Sequence, residues 1–106
     1  MGINPILLQE IIRRIVSVTQ PAKVILFGSA AAGQLTRDSD IDLLVLENEV
    51  ADPFQLSVRI QDALRGLGFP FDVIVMPLER FEETKNVIGG ISYPADKHGL
   101  VIYEAA

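Results

Sequence analysis

Three aspartates stand where carboxylates could act together on a metal ion. Asp42 lies in the apolar run DLLVL and Asp72 in FDVIV, at positions where a strand normally carries apolar side chains. A buried carboxylate without a partner is costly, so each of these residues needs a cation or a polar site. Because strand side chains alternate between faces, Asp40 and Asp42 project to the same side, about 7 Å apart along the chain.

The third aspartate decides what kind of site this is. If the strand that contains Asp72 lies beside the strand that contains Asp42, three carboxylates converge and repel one another. A divalent cation relieves that repulsion, and with oxygen ligands alone the predicted metal is Mg²⁺, or Mn²⁺ in its place. The alternative for Asp42 and Asp72 is an edge-strand carboxylate that faces solvent.

A glycine-serine pair after the first apolar run is a second chemical feature. Gly28 lets the backbone approach a ligand closely, and Ser29 adds a hydroxyl donor before the small-residue segment Ala30 to Gly33. This pattern predicts a phosphate-binding turn, although taken alone it fits an ordinary tight turn equally well. It is not a P-loop, because no Lys follows the glycines. A phosphate turn beside three carboxylates suits metal-assisted phosphoryl or nucleotidyl transfer.

Composition excludes several other kinds of site. The 106 residues include no Cys and one His, which removes disulfides, thiol nucleophiles, Cys-bound zinc and His-rich metal sites. Nine basic residues against 14 acidic ones give a formal charge of −5, which argues against a nucleic-acid partner. No apolar run is long enough for a membrane span, and the N-terminus lacks the pattern of a secretory signal. We therefore expect one soluble domain over residues 1–106, located in the cytoplasm.

The elements that must position these residues follow from periodicity and from capping residues. Asn4-Pro5 and Asp52-Pro53 are typical helix starts, and each precedes an apolar stripe at helical spacing. The apolar runs predict strands over 23–27, 40–46 and 71–76, and the later segments predict a helix over 78–88, a helical turn near 94–97, and a strand or docked tail over 100–103. Residues 30–34 could form one or two helical turns. The fold class is α/β (α+β), a small twisted sheet with helices mainly on one face; strand direction stays open.

The segment LFGSAAAGQLTRDSDIDLLV resembles the GSxxxG and SDxD signature of the nucleotidyltransferase superfamily typified by DNA polymerase beta. The short chain resembles the minimal nucleotidyltransferase (MNT) branch, whose stand-alone domains are often encoded beside a HEPN partner. The resemblance covers nearly the whole chain and implies the polymerase-beta-like fold, with a mixed sheet and three aspartates on one face.

Residue roles follow from that resemblance. It implies that Gly28 and Ser29 hold the β- and γ-phosphates, that Asp40 and Asp42 ligate two metal ions, and that Asp72 ligates one and acts as the base. Many MNT sequences carry Arg after the Gly-Ser pair, where this chain has three alanines. The predicted nucleotide-binding residues also include Arg37, the nearest substitute in sequence, and Ser39. For Ser39 alone a loop cap is the simpler interpretation.

The function implied is Mg²⁺-dependent transfer of AMP from ATP to a hydroxyl of a HEPN toxin, with this chain as the antitoxin. MNT domains commonly pair with another subunit, so a homo- or hetero-oligomer is expected. Two alternatives stay open. One is a catalytically weak antitoxin that neutralises its partner by binding, and the other is the catalytic subunit of a transferase that modifies a small molecule.

Overall fold

The computed structural model describes residues 3–36 and 38–106. In those residues the helices and strands follow one another in the order α1 Pro5–Val18, β1 Lys23–Phe27, β2 Ile41–Glu47, α2 Pro53–Ala63, β3 Phe71–Pro77, α3 Leu78–Thr84, α4 Ser92–His98 and β4 Leu100–Glu104. None of the helices in this described part is both long and apolar enough to cross a bilayer.

The two long helices begin at the predicted residues. Asn4 caps α1, where its Oδ1 accepts a hydrogen bond of 2.7 Å from the Ile6 N–H, and Pro5 occupies the first turn. Asp52 caps α2 in the same way, accepting a bond of 3.0 Å from the Gln55 N–H. Both caps satisfy N–H groups that have no partner inside the helix, which confirms the two predicted starts.

The four strands form one mixed sheet in the order β3-β2-β1-β4. The pairs β1–β2 and β1–β4 are antiparallel, and β2–β3 is parallel. This settles the strand directions that the sequence left open. Antiparallel neighbours need only a loop between them, whereas the parallel pair needs a crossover, which α2 supplies.

Helices cover both faces of the sheet to different extents. Helices α1 and α2 pack on one face, where Ile11, Ile15, Ile60 and Leu64 join the strand residues Val24, Leu26, Leu43, Val45, Val73 and Val75. The short helices α3 and α4 pack on the other face, where Phe81 and Ala95 contact Ile25, Leu44 and Leu46. The fold class is therefore α/β with a mixed sheet, as predicted. Helices were predicted mainly on one face; the two longer helices share one face, and the shorter α3 and α4 cover the other.

Several boundaries differ from the sequence predictions. Helix α3 ends at Thr84 instead of near Ile88. The Lys85 N–H still bonds to the Phe81 carbonyl at 2.9 Å, but the Val87 N–H bonds to the Thr84 carbonyl at 3.0 Å, which is a turn and not the next step of an α-helix. The short turn near 94–97 is a two-turn helix, α4, and the C-terminal segment is a strand rather than a docked tail. Residues 30–33 form hydrogen-bonded turns and not a regular helix.

Candidate active site

Asp42 and Asp72 are direct neighbours in the parallel ladder between β2 and β3. Strand alternation places Asp42 on the same face as Leu44, and Asp72 on the same face as Ile74, and these apolar residues belong to one cluster beneath α3 and α4. Neighbouring strands are about 4.8 Å apart, so the two carboxylates start from adjacent backbone positions. The register of the sheet therefore places Asp72 beside Asp42, as the sequence predicted.

The electrostatics join Asp40 to this pair. The pKa of Asp42 is raised above its usual value, first by burial, then by the charge of Asp72 and then by that of Asp40. Asp42 is partly buried, whereas Asp40 and Asp72 are exposed. The three aspartates therefore form one repelling group with Asp42 at its centre, at the end of the sheet where β2 and β3 begin.

Gly28 lies against the carboxylate of Asp42. The last residue of β1, Phe27, pairs with Asp42, and the chain then turns through Gly28 with φ +73°. A Cβ placed on Gly28 would lie 2.2 Å from Oδ2 of Asp42, which is far inside van der Waals contact. Only glycine fits this position, because it combines a left-handed backbone with a close approach to a side chain.

The segment after Gly28 is a compact turn rather than a helix N-terminus. The Ala32 N–H donates to the Gly28 carbonyl at 3.2 Å, and the Gln34 N–H donates to the Ser29 carbonyl at 2.8 Å. Ala30 is buried in the core, while Ser29 is partly exposed beside it. The turn thus anchors itself in the fold through Ala30 and leaves Ser29 at the surface next to the aspartates.

The two remaining predicted nucleotide-binding residues have different outcomes. Ser39 is bound within its own loop: its Oγ accepts a hydrogen bond of 3.1 Å from the Thr36 N–H and lies 2.8 Å from Thr36 Oγ1. This contact supports the loop-capping interpretation, and a nucleotide-binding role for Ser39 stays a prediction. Arg37 lies outside the described residues.

The donor set is chemically suited to a hard divalent cation. Carboxylate oxygens are the ligands that Mg²⁺ and Mn²⁺ prefer, and the raised pKa of Asp42 reports negative charge that a cation would neutralise. Within residues 3–36 and 38–106, however, no three acidic, His or Cys side chains are already grouped closely enough to hold a metal. The sheet thus places the backbones of Asp42 and Asp72 next to each other. To bind an ion, the side chains of Asp40, Asp42 and Asp72 would have to move closer together.

Two features of the structure were missed by sequence reasoning. The contact between Gly28 and Asp42 joins residues from different strands, and only the antiparallel pairing of β1 with β2 shows it. Glu47, at the far end of β2, is a buried carboxylate. Its sequence signal was present, since it directly follows the apolar run that ends at Leu46, but the strand was predicted to end one residue earlier.

One known protein family matches most of the chain. A family model described as "Nucleotidyltransferase domain" matches residues 7–93, a range that includes the glycine-serine turn and all three aspartates. A search of curated proteins found no match.

Solved structures with a similar fold include chains from toxin–antitoxin complexes. One, from a toxin–antitoxin with AMP-PNP, has a TM-score of 0.64 and 19% identity over 92% of this chain and 73% of that chain. Another, from an MntA–HpeT mutant in which two aspartates are replaced by glutamate, has a TM-score of 0.63 and 18% identity over 92% and 73%. A third comes from a complex of the tri-AMPylated Shewanella oneidensis HEPN toxin with its MNT antitoxin, with a TM-score of 0.56 and 17% identity over 94% and 71%. At these identities the likeness establishes a shared fold.

Proposed function

The chain belongs to the nucleotidyltransferase-domain family, and from that premise we propose that it is an MNT-type antitoxin. Its proposed reaction is transfer of AMP from ATP to a hydroxyl group on a HEPN-type partner protein, with Mg²⁺, or Mn²⁺ in its place. The observation that carries the proposal is the in-register pairing of Asp42 with Asp72, with Asp40 in electrostatic contact.

The chemistry proposed for this site is an in-line displacement at phosphorus. The acceptor oxygen forms a bond to the α-phosphorus of ATP, and the bond from that phosphorus to the bridging oxygen of the β-phosphate breaks. Pyrophosphate leaves, and the proton of the acceptor hydroxyl passes to Asp72. Because Asp72 is exposed at the open end of the sheet, a hydroxyl presented from outside the chain can reach it.

The three aspartates would also hold the metal. Asp40 and Asp42 would ligate two ions, and Asp72 would ligate one of them. When bound, the ions neutralise charge on the phosphates and lower the energy of the attacking and leaving oxygens. The half-buried position of Asp42 supports this role, since an ionised carboxylate that is partly desolvated and repelled by two neighbours is stabilised by a cation.

The turn at Gly28 is proposed to hold the β- and γ-phosphates. Gly28 contacts Asp42 directly, so a phosphate bound at Ser29 lies beside the metal-binding carboxylates. Arg37 and Ser39 are proposed as further nucleotide contacts from the loop that precedes β2. The alanines at 30–32 offer no charged side chains to a triphosphate, and this places more of the binding on the ions and on backbone N–H groups.

A HEPN-type partner is proposed on the basis of the structural neighbours. One of them is a complex between an MNT antitoxin and a HEPN toxin that carries three AMP groups. Another contains AMP-PNP, an analogue of ATP. The similar fold makes the same pairing and the same nucleotide the first ones to test for this chain.

The test is direct labelling of a candidate partner. The purified chain is incubated with Mg²⁺, ATP labelled at the α-phosphate, and the protein encoded by the neighbouring reading frame as the candidate partner. We expect transfer of label to the partner, reduced on the order of 100-fold or more by Asp42→Asn. Asp62→Asn is the matched control, because Asp62 is exposed and lies on α2, which packs on the opposite face of the sheet from the aspartates. Equal labelling by the wild type and Asp42→Asn would exclude catalysis at this site.

A catalytically weak antitoxin is the second candidate. Two observations favour it: the alanines after the Gly-Ser pair, and carboxylates that are not grouped for a metal within the described residues. In that case Asp42→Asn would neutralise the partner's toxicity as well as the wild type does. Growth rescue by the variant, measured beside the labelling assay, separates the two candidates.

A further inference from the structure

Strand β3 forms one edge of the sheet, and no other strand of the described residues lies on its outer side. Its sequence, FDVIVMP, carries a single charge, that of Asp72. Edge strands normally carry charged side chains, prolines or bulges, because their free N–H and C=O groups can pair with another strand. In β3 the charge and Pro77 stand near the two ends, and residues 73–76 between them are all apolar. The middle of this edge is therefore open to pairing.

The opposite edge of the sheet, formed by β4, is less suited to pairing. Strand β4 has five residues, and its register on β1 shifts between Val24 and Ile25. Such an irregularity twists an edge strand and hinders further pairing. Strand β3, in contrast, has seven residues and pairs with β2 without a shift. Of the two edges, β3 is the one that can accept a full-length strand.

A groove extends the surface of β3 onto helix α2. Its volume is about 290 Å³, and its walls are apolar except for one serine: Pro53, Phe54, Ser57, Val73, Ile74 and Val75. The side chain of Phe54 is 78% exposed, and Val58, one turn along the same side of α2, is 51% exposed. No charged residue lines this groove, so it fits an apolar surface better than an ion. Exposed apolar side chains beside an open strand edge are typical of a contact between proteins.

The sequence of β3 indicates which strand fits beside it. Two copies of β3 can continue the sheet as an antiparallel pair about a two-fold axis perpendicular to the sheet. This axis keeps every side chain on its own face, so it passes through a residue, and an axis through Ile74 pairs all seven residues. Asp72 then lies opposite Met76, and Val73 lies opposite Val75, so no like charges meet. A parallel pair in register would instead place Asp72 against its own copy, which is unfavourable.

The same axis brings the two copies of α2 together. Helix α2 packs on the sheet face that carries Val73 and Val75, and a perpendicular axis leaves both copies of α2 on that face. Because Phe54 and Ser57 lie beside residues 73–75, an axis through Ile74 passes close to them. Each phenyl ring would then lie near the centre of the interface, where aromatic side chains contribute most to affinity. Helix α3 leaves the edge open, since it packs on β3 and β2.

We propose that β3 and the exposed residues Phe54 and Val58 form a homodimer interface, in which two copies of β3 pair antiparallel about Ile74. The occupant is a second copy of this chain because the surface is complementary to itself in strand length, charge and apolar side chains. One strand and part of one helix make a small interface, of about 1,200 Å² in total, and the expected Kd is on the order of 10 µM. The proposal does not depend on AMP transfer, because the contacts come from the backbone of β3 and the side chains of α2.

The test is sedimentation velocity of the purified chain at concentrations from well below to well above the expected Kd. We expect a reversible change from one chain to two as the concentration rises. Val58→Asp places a charge in the interface and should weaken dimerisation by about tenfold or more. The matched control is Val101→Asp, because Val101 is 53% exposed and lies in β4 at the opposite edge. A chain that is monomeric throughout, or a dimer weakened by the control and not by Val58→Asp, overturns the proposal.

Phe54→Ala separates a lost contact from lost folding. Well below the Kd, unfolding reports on the monomer, and there this variant should be as stable as the wild type. Its dimerisation should be weaker by about tenfold or more. Unchanged dimerisation of a folded Phe54→Ala places the interface elsewhere and contradicts the proposal. The same holds if Val58→Asp leaves self-association unchanged and instead abolishes binding of the protein encoded by the neighbouring reading frame, since the surface then belongs to that partner.

The register is tested with a single cysteine, since the chain has none of its own. In the proposed pair Ile74 lies opposite its copy, with the two Cα atoms about 4.5–5.5 Å apart, which is within the range of disulfides. Ile74→Cys should therefore form a disulfide-linked dimer under mild oxidation, roughly tenfold faster than the control Val101→Cys. Equal rates for the two variants would overturn pairing about Ile74.

Discussion

The backbone of Gly28 and the carboxylate of Asp42 are in contact across the β1–β2 pair, and a Cβ at residue 28 would lie 2.2 Å from Asp42 Oδ2. The turn that is proposed to bind phosphate therefore also sets the position of the central aspartate. A substitution at either residue should therefore also displace the other, so variants of this pair test the proposed site directly.

Gly28→Ala should disrupt both the turn and the aspartate. The φ of +73° alone costs an alanine about 1–2 kcal/mol, and the clash with Asp42 adds to this. Gly33→Ala is the matched control, because its φ of +75° carries the same backbone penalty while no heavy atom of the described residues lies within 4 Å of the new Cβ. Urea unfolding and the labelling assay should show a larger loss of both stability and transfer for Gly28→Ala. Equal losses in the two variants would mean that the contact with Asp42 has no consequence.

Asp42→Asn should stabilise the metal-free protein at neutral pH. Because the folded-state pKa of Asp42 lies above its unfolded value, the ionised carboxylate lowers stability once the pH exceeds the folded pKa. The residue is only partly buried, so we expect a modest gain of about 0.5 kcal/mol, or roughly 2–4 °C in Tm. The gain should vanish well below pH 3.8, where the wild-type aspartate is protonated in both states. Thermal denaturation across pH measures it, and a lower Tm for the variant at neutral pH would contradict the assigned repulsion.

Mg²⁺ should raise the Tm of the wild type and not that of Asp42→Asn. Binding to the folded state alone stabilises it by about 2.7 kcal/mol when the ion is at about 100 times its Kd. Asp40→Asn and Asp72→Asn should each reduce the effect, whereas the control Asp62→Asn should keep it. Thermal shift against Mg²⁺ concentration gives the result. A Tm that Mg²⁺ does not change would remove the metal from the proposal while leaving the binding-only antitoxin open.

Glu47→Gln should make the free energy of unfolding depend less on pH at pH values above 4.5, the usual pKa of a glutamate. Burial raises the pKa of Glu47, and the hydrogen bond from Thr19 opposes that rise only in part. Wild-type stability should therefore fall as pH rises through the folded pKa, and the neutral variant should be more stable at neutral pH by about 1 kcal/mol.

Glu10 is a contrasting case, because Arg13 and Arg14 lower its pKa to about 2. Glu10→Gln should therefore lower stability at neutral pH, and its difference from the wild type should disappear as the pH falls from 4.5 to about 2.

Phe81→Ala should be the most destabilising of these changes. Phe81 is 2% exposed and joins α3 to the sheet face that carries the aspartates. Loss of a buried phenyl ring costs about 3–5 kcal/mol. Phe54→Ala, at a residue that is 78% exposed on α2, should change stability by less than about 0.5 kcal/mol. Chemical denaturation of both variants compares them, and similar losses would mean that α3 is not packed as described.

Much of the site could be predicted before any coordinates. An aspartate inside an apolar strand is conspicuous because burial of an unpaired charge is unfavourable, and this alone singled out Asp42 and Asp72. Alternation then put each on a definite side of its strand. The direction of β2 relative to β1 and β3 could not be predicted, because the apolar runs are equally compatible with parallel and antiparallel neighbours.

What the sequence determined by itself is local. Asn4-Pro5 and Asp52-Pro53 start helices through hydrogen bonds to residues two or three positions away, and strand alternation is a property of the extended backbone. The tertiary structure alone decided that Asp42 faces Asp72 in register, that Gly28 touches Asp42, and that one oxygen of Glu47 has no hydrogen-bond partner among the residues that the structure describes. These are relations between distant segments, set by the pairing of whole strands and the packing of helices on them, and no short stretch of residues contains the information.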